Sequence, residues 1–249
     1  MIPSVNWSQP GDAPSLPDKE LHIWRVWLDV EASECARLAS YLSEDERLRA
    51  SRFLFPRDRD HFTVARGTLR ELIAQYLRRP PASFPFQTGP YGKPSLLESP
   101  EVRFNLTHSH GLALYAFAIK RELGIDVEKV QPEFAGEEIA ERYFSAAEQQ
   151  ELCELPAEIR TTAFFLCWTR KEAYVKAHGG GLQIPLSSFD VSLTPGHPEI
   201  LRAVDSERWS MRSLSPAPEY VASVLGEGQF QATRFWSHGG GPVRRPENG

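Results

Sequence analysis

Cysteine is scarce in this sequence of 249 residues, and the three present, Cys35, Cys153 and Cys167, stand far apart. An odd number of widely spaced cysteines suits no disulfide framework, and none has the CxxC spacing of a zinc site. An excess of positive charge is also missing, because 28 Lys and Arg against 33 Asp and Glu give a net charge of −5. We therefore expect reduced thiols and no general nucleic-acid-binding role.

Long apolar segments are absent as well, since no run reaches the ~20 residues that a membrane-spanning helix needs. Residues 1–20 are rich in Pro, Ser and Asp and lack the basic and apolar regions of a signal peptide. Hydrophobic residues make up 41% of the chain, enough to fill a core and to exclude a wholly disordered protein. The sequence predicts a cytoplasmic protein without membrane contact, with a loose arm at 1–20 and a flexible tail at 237–249.

Alternating helical and strand patterns predict an α+β fold of two similar halves, residues 21–122 and 123–236. The first half has predicted strands at 22–30, 102–106 and 112–119, a helix beginning at Ser43 and a helix at 60–79. The second has predicted strands at 124–128, 189–193, 209–214, 220–225 and 231–236, a capping box at Ser145 and Glu148, and a helix at 156–178. We expect the strands at 102–106, 112–119 and 124–128 to be antiparallel neighbours.

Two carboxylates lie on the strand predicted at 124–128. Asp126 and Glu128 are two residues apart, so they share one face while Ile125 and Val127 point to the other. Adjacent like charges repel unless a cation lies between them. Alone, the pair indicates either a solvated strand face or half of a metal site.

A third carboxylate lies on the helix predicted at 156–178, where Trp168, Glu172 and Lys176 follow one another at four-residue steps. One interpretation is a surface Glu–Lys pair worth ~0.3–0.5 kcal/mol. The helix is rich in aromatic residues, however, and is expected to be largely buried. If Glu172 met Asp126 and Glu128, the three would form an all-oxygen site that suits Mg²⁺, with Lys176 near a bound phosphate.

The segment FNLTHS, residues 104–109, places two hydroxyls and an imidazole at the end of a strand. These groups can donate hydrogen bonds to phosphate oxygens. A Ser–His hydrolase is a further interpretation, but neighbouring residues rarely give a nucleophile and its base the right geometry. A single loop histidine is usually inert, so His108 gains weight only from the polar residues beside it.

Taken together, these segments resemble the 4′-phosphopantetheinyl transferase superfamily, in its double-length surfactin-synthetase-activating (Sfp) type. Five motifs occur in family order: GPYGKP at 89–94, FNLTHS at 104–109, GIDVEKV at 124–130, RYFS at 142–145 and WTRKEAYVKAHGGGL at 168–182. Each motif alone is a weak signal, whereas five in order at family-like spacing are specific.

The resemblance implies an enzyme that moves the phosphopantetheine arm of coenzyme A to a serine of an apo acyl or peptidyl carrier protein, leaving 3′,5′-ADP. It implies a pseudo-dimer of two α+β halves with coenzyme A in the cleft between them. One chain would then supply both sides of the cleft, so we expect a monomer. The cation would be Mg²⁺, with Mn²⁺ as the alternative.

The resemblance also assigns roles by position. Asp126, Glu128 and Glu172 match the metal ligands, and Glu172, Lys176 and His108 are the expected catalytic residues. The expected coenzyme A contacts are Arg49, Arg66, Lys93, Pro94, Thr107, His108 and Lys176. Thr107 replaces the serine of many members, and Glu46 stands where some carry a lysine. The role of Lys171 in the Lys-Glu pair of the last motif is left open.

Two other functions remain open from the residues. A Mg²⁺-dependent nucleotide pyrophosphatase or phosphodiesterase would use the same three carboxylates but transfer the phosphorus to water. A binding module could retain coenzyme A or a carrier protein without catalysis, although the retention of Asp126, Glu128, Glu172 and Lys176 speaks against it.

Overall fold

A computed structural model describes residues 2–10, 14–196 and 198–241 of the chain. Its helices are α1 (Ala32–Ala39), α2 (Glu44–Ala50), α3 (Pro56–Leu77), α4 (Glu137–Tyr143), α5 (Ala146–Glu154) and α6 (Ala157–His178). Its strands are β1 (Glu20–Trp27), β2 (Phe86–Thr88), β3 (Pro94–Leu96), β4 (Val102–Ser109), β5 (Leu112–Ile119), β6 (Leu123–Lys129), β7 (Asp190–Val191), β8 (Ile200–Arg202), β9 (Trp209–Leu214), β10 (Tyr220–Glu227) and β11 (Ala232–His238). The predicted α+β class is confirmed.

The strands form two main sheets, in the orders β11-β1-β5-β4 and β6-β10-β9. The predicted antiparallel pairing of β4 with β5 is present. The expectation that β6 would continue the same sheet is wrong, because β6 pairs with β10 over Leu123–Lys129 instead. The turn after β5 therefore carries the chain from one sheet to the other, a change that local hydrophobicity does not encode.

Both halves follow one plan. In the first half β1, β5 and β4 lie in that order with α3 on one face, and in the second half β6, β10 and β9 do the same with α6. The other faces of the two sheets pack against each other through a core that includes Ile23, Leu114, Ile125 and Val224. The prediction of two similarly built halves is confirmed.

A buried ion pair recurs at equivalent positions of the halves. Glu46, three residues after the N-cap Ser43, binds Arg70 of α3 at 2.6 Å. Glu148, three residues after the N-cap Ser145, binds Lys171 of α6 at 2.7 Å. In each half the capping box that begins a short helix also holds the long helix behind it.

The basic member of each pair also anchors the loop that follows its long helix. Arg70 donates to the carbonyl of Phe84, and Lys171 donates to the carbonyl of Phe189. Because these donors and acceptors are buried, each pairing satisfies groups that water does not reach. Lys171 thus has a structural place in the fold, which the motif alone did not reveal.

The two ends of the chain lie against both halves. Residues of the predicted arm form isolated bridges, Ser4 with Ser215 and Ser8 with Trp236. β11 runs parallel to β1 and extends the sheet of the first half. The predicted tail at 237–249 begins inside β11, and its residues 242–249 lie outside the described residues, as do residues 11–13 of the arm. The boundaries at 122 and 236 stay predictions.

Within the ranges that the structure covers, no helix is long and apolar enough to cross a membrane.

Candidate active site between the halves

A glycine brings β6 close to α6. A Cβ atom on Gly124 would lie 1.9 Å from the carbonyl oxygen of Ala173 and 2.5 Å from the backbone nitrogen of Ala177. Only a residue without a side chain allows this approach. Ile125 and Val127 face the core between the sheets, so Gly124 and the next alternate residue, Asp126, face α6. The predicted alternation along this strand is present.

Asp126 is 3% exposed and lies against a lysine of α6. Its Oδ1 accepts hydrogen bonds from Lys176 Nζ at 2.5 Å and from Thr107 Oγ1 at 3.1 Å. Burial alone would lower the pKa of Lys176, but the charge of Asp126 and of the two nearby glutamates raises it, so the ammonium stays charged. The surface Glu172–Lys176 pair that the spacing allowed is thus replaced by an ion pair across the two elements.

β4 contacts the free edge of β6 through side chains rather than through a backbone ladder. Asn105 Oδ1 accepts the N–H of Ile125 at 2.9 Å, and Ser109 Oγ accepts the N–H of Lys129 at 3.2 Å. Alternate residues of β4 therefore contact β6 along its free edge. We call these residues, Asn105, Thr107 and Ser109, the polar seam. The seam joins the first half to the strand that carries the carboxylates.

The three predicted carboxylates act on one another electrostatically. Burial and the charge of Asp126 raise the pKa of Glu128 to about 7. Burial and the same charge also raise the pKa of Glu172 above its usual value. In the part of the chain that the structure describes, however, no three His, Cys, Asp or Glu side chains are grouped closely enough to form a metal-binding cluster.

Two observations test whether these residues fit a divalent cation. Asp126 Oδ2 is buried, and among the described residues nothing donates a hydrogen bond to it. A buried carboxylate oxygen without a partner is costly, and a cation would satisfy it. Glu128 and Glu172 each experience the negative charge of Asp126, although burial is the larger cause of their raised pKa values. The chemistry of these oxygen donors suits a hard cation such as Mg²⁺, while the three carboxylates as the structure describes them are not grouped into a cluster.

A cavity of about 690 Å³ opens beside these residues. Its walls come from both halves, with residues 91–94 and 105–106 on one side and α6 and residues 184–187 on the other. Glu172 and Lys176 line it together with Trp168, so the helical stripe predicted from four-residue spacing faces one space. The volume lies within the range of ligand sites, ~300–1,000 Å³.

Lys93 and Pro94 lie at the wall of this cavity. Lys93 Nζ binds Glu122 at 3.0 Å and the carbonyl oxygens of Leu123 and Ala177. Its three ammonium donors are thereby used, and the loop is fixed against the start of β6 and the end of α6. Pro94 begins β3.

His108 and Thr107 face different directions. Thr107 belongs to the polar seam, whereas His108 follows the alternate set with Phe104 and Leu106, which pack toward α3. His108 is solvent-accessible, yet the surrounding protein lowers its pKa, as do the positive charges of His61 and Lys176. The two side chains therefore lie on opposite faces of β4.

The two arginines expected at the 3′-phosphate lie farther along the first half. Arg66 Nε binds Glu46 Oε1 at 2.5 Å, and its guanidinium stacks on the ring of Phe86. The guanidinium of Arg49 lies over the ring of Phe62, 5.3 Å from its centroid. Glu46 neutralises part of the charge of Arg66, and neither arginine lines the 690 Å³ cavity.

Two features were not predicted from the sequence. Asn105 was given no role, and the hydroxyl of Ser109 was expected to face a phosphate rather than to bind β6, although the spacing of both with Thr107 on one strand is a detectable signal. Arg142 and Tyr143 line the cavity, where Tyr143 packs edge-on against Trp168 with ring centroids 5.5 Å apart.

A larger cavity, of about 840 Å³, lies elsewhere, between residues 3–6 of the arm and β9. None of the predicted site residues lies in the wall described for it. Size alone therefore does not identify the site, and the charged groups beside the smaller cavity decide the choice.

Comparison with known proteins places both halves in one family. The family model "4'-phosphopantetheinyl transferase, N-terminal" matches residues 26–120, and the model "4'-phosphopantetheinyl transferase superfamily" matches residues 122–225. Among curated relatives, 4'-phosphopantetheinyl transferase HetI of Nostoc sp. is 38% identical, over 90% of this chain and 94% of its own length. 4'-phosphopantetheinyl transferase Sfp of Bacillus subtilis is 31% identical, over 70% of this chain and 77% of its own length.

Among solved structures, holo-[acyl-carrier-protein] synthase of Thermotoga maritima is 20% identical, with a TM-score of 0.35, over 43% of this chain and 63% of that one. A likeness this weak carries no argument. The curated relatives and the two family models agree, and the chain belongs to the 4′-phosphopantetheinyl transferase family of the Sfp type, as its motifs predicted.

Proposed function

We propose that this protein transfers 4′-phosphopantetheine from coenzyme A to a serine of an apo acyl or peptidyl carrier protein and releases 3′,5′-ADP. The observation that carries the proposal is the cavity between the halves, with Glu172 and Lys176 in its wall and Asp126 behind them. Because one chain builds both walls, a monomer is sufficient for activity.

A divalent cation, Mg²⁺ or Mn²⁺, fits the site, with Asp126, Glu128 and Glu172 as the residues that would hold it. When bound, such a cation neutralises the charge of a diphosphate and polarises its oxygens. Asp126 Oδ2 offers an oxygen without a hydrogen-bond donor among the described residues. Glu172 extends the donor set to the cavity wall, and Glu128 lies on the same face of β6 as Asp126.

The positive charge of Lys176 is suited to the diphosphate of coenzyme A. Lys176 Nζ stays charged and lies in the cavity wall, tied to Asp126. Phosphoryl-type transfer depends mainly on such positioning and charge neutralisation. His108 would add a hydrogen-bond donor nearby, on the side of the strand away from Thr107.

The serine of the carrier protein must lose its proton during transfer. Glu172 is the candidate base because it lines the cavity and its pKa is raised above the usual glutamate value. A base whose pKa lies nearer to the working pH accepts a proton more effectively.

The loop of Lys93 and Pro94 would contact coenzyme A at the cavity wall, with Lys93 acting through its positive charge because its three ammonium donors are occupied. Arg49 and Arg66 would contact the 3′-phosphate. The stacked guanidinium of Arg66 retains donors beyond the one bound to Glu46. Wild-type protein should accordingly bind coenzyme A more tightly than dephospho-coenzyme A. Equal affinity for the two would remove the basis for a 3′-phosphate contact.

The test is mass spectrometry of apo-carrier proteins after incubation with the protein, coenzyme A and Mg²⁺. We expect a carrier that gains one phosphopantetheine group. Asp126→Ala should abolish the gain while the protein stays folded. As the matched control, Asp190→Ala removes an aspartate that pairs with Arg202 at 2.7 Å on another sheet and should keep activity.

Retained transfer by Asp126→Ala at saturating Mg²⁺ would exclude the assigned ligand. The same reagents without a carrier separate the alternatives. A pyrophosphatase or phosphodiesterase would consume coenzyme A under those conditions, whereas a transferase leaves it intact. A binding module would leave both coenzyme A and carrier unchanged.

A further inference from the structure

We infer that Ser109 is a positioning residue that fixes the carboxylate of Glu128 in the orientation needed to bind the divalent cation. Ser109 belongs to the first half of the chain and Glu128 to the second, so the inference concerns a contact that forms only when the halves are docked. It rests on the proposed function, because Glu128 is a ligand only in that proposal.

The hydroxyl of Ser109 is fully engaged at this junction. It donates its hydrogen to Glu128 Oε2 at 2.7 Å and accepts the backbone N–H of Lys129 at 3.2 Å. His110 Nδ1 lies 3.0 Å from the same oxygen and, as the Nδ1–H tautomer, donates to its second lone pair. The bond accepted from Lys129 comes from a rigid strand, so the oxygen of Ser109 is held in place. Because the hydroxyl has one hydrogen, the position of that oxygen then determines where Glu128 Oε2 lies.

Glu128 needs such a restraint because its neighbours repel it. Asp126 lies two residues away on the same face of β6, and carboxylates this close repel each other. Unlike Asp126, which Lys176 holds at 2.5 Å, Glu128 has no lysine or arginine ion pair among the described residues. Without Ser109 the flexible side chain would turn away from the other carboxylates toward solvent.

Thr107 and Ser109 of the polar seam each bind a different carboxylate of β6. Thr107 Oγ1 donates to Asp126 and Ser109 Oγ donates to Glu128, one hydroxyl to each carboxylate of β6. Asp126 keeps Lys176 if Thr107 is lost, whereas Ser109 is the one side-chain donor to Glu128 within the described part of the chain. Residues that orient metal ligands in this way typically contribute ~10–100-fold to metal affinity.

The experiment measures Mn²⁺ binding in the presence of coenzyme A, from the electron paramagnetic resonance signal of free Mn²⁺. Ser109→Ala should bind Mn²⁺ at least 10-fold more weakly than wild type and keep the wild-type thermal unfolding curve. Ser109→Thr keeps the hydroxyl and should restore affinity. Ser210→Ala, which removes a half-buried hydroxyl bound to the carbonyl of Gly226, is the matched control and should bind as wild type does.

A double-mutant cycle then shows whether Ser109 acts through Glu128. In the Glu128→Gln background, Ser109→Ala should cause no further loss of Mn²⁺ affinity, since the group it positions is already changed. Affinity of Ser109→Ala within twofold of wild type, or an undiminished further loss in the Glu128→Gln background, would overturn the inference. If wild type itself binds no Mn²⁺, the metal part of the proposed function fails, and the positioning role fails with it.

Discussion

Replacing Lys171 by methionine tests whether the lysine of the Lys-Glu motif holds the fold rather than the substrate. Lys171 is 0% exposed. Its ammonium donates to Glu148 Oε2 at 2.7 Å and to the carbonyl oxygens of Leu186 at 2.7 Å and Phe189 at 2.6 Å. All three donors are used within the protein, so none is left for a ligand. Methionine keeps the length of the side chain and removes only the charge and its hydrogen bonds.

The expected loss of stability follows from the effect of this change on Glu148. Glu148 would stay buried, with the backbone N–H groups of Ser145 and Val191 donating to it but without its cationic partner. Breaking a buried ion pair from one side costs about 3–5 kcal/mol. For a chain of this size each kcal/mol lowers Tm by about 2–4 °C, so Lys171→Met should melt about 6–20 °C below wild type.

Thermal and urea unfolding followed by circular dichroism measure this difference. Lys129→Met is the control, because Lys129 Nζ lies 3.8 Å from an exposed Glu219 in a pair worth at most ~1 kcal/mol. Its Tm should therefore fall by less than about 4 °C. A Lys171→Met protein that keeps the wild-type Tm but loses turnover would refute the reasoning and place Lys171 in the chemistry instead.

Two further changes test the packing of α6. Gly124→Ala puts a methyl group 1.9 Å from the carbonyl oxygen of Ala173, so it should push β6 away from α6. Urea unfolding should show a loss of stability of at least ~1–3 kcal/mol, and a variant as stable as wild type would contradict the close approach. Burial alone would raise the pKa of Asp205, but a hydrogen bond from Trp209 and the charge of His178 lower it to about 2. Ionised Asp205 thus stabilises the fold above pH ~4, and this stabilisation is lost as pH falls toward 2. Wild type and Asp205→Asn should therefore converge in stability over that range, and a constant difference between them would contradict the lowered pKa.

The local pattern of hydrophobicity was enough to predict most elements. The helix predicted at 60–79 is observed at Pro56–Leu77, and the strand at 112–119 has the predicted bounds. The helix start predicted at Ser43 and the capping box predicted at Ser145 are both observed. These features depend on residues within one or two turns of each other, and such short-range interactions can be predicted from a single sequence.

Contacts between distant segments were not predictable in the same way. The spacing of Glu172 and Lys176 suggested a pair on one helix, but Lys176 binds Asp126, 50 residues away. The local pattern of hydrophobicity does not indicate that β6 belongs to a different sheet from β5. The polar seam was missed for the same reason, since Asn105 and Ser109 act on a strand of the other sheet. The motif resemblance supplied the expected site residues because it carries long-range information that periodicity lacks.

The repeated plan of the halves raises the question of why the carboxylates occur in one half only. In the second half the face of β6 toward α6 carries Gly124 and Asp126, and its free edge meets only side chains of β4. In the first half the corresponding face of β1 carries His22 and Trp24. Large rings therefore lie between strand and helix in the first half, whereas Gly124 lets α6 approach β6 closely in the second.

The same comparison explains the last strand. Trp24 packs against Tyr76 of α3 and Trp236 of β11, with ring centroids 6.4 and 6.0 Å apart. β11 pairs with the edge of β1 that corresponds to the edge of β6 left for the polar seam. A backbone hydrogen-bond ladder with β11 covers the edge of β1, whereas polar side chains of β4 contact the edge of β6. The cavity with Glu172 and Lys176 in its wall lies beside the edge of β6. Since β11 covers the corresponding edge of β1, we expect the repeated fold to form one active site per chain rather than two.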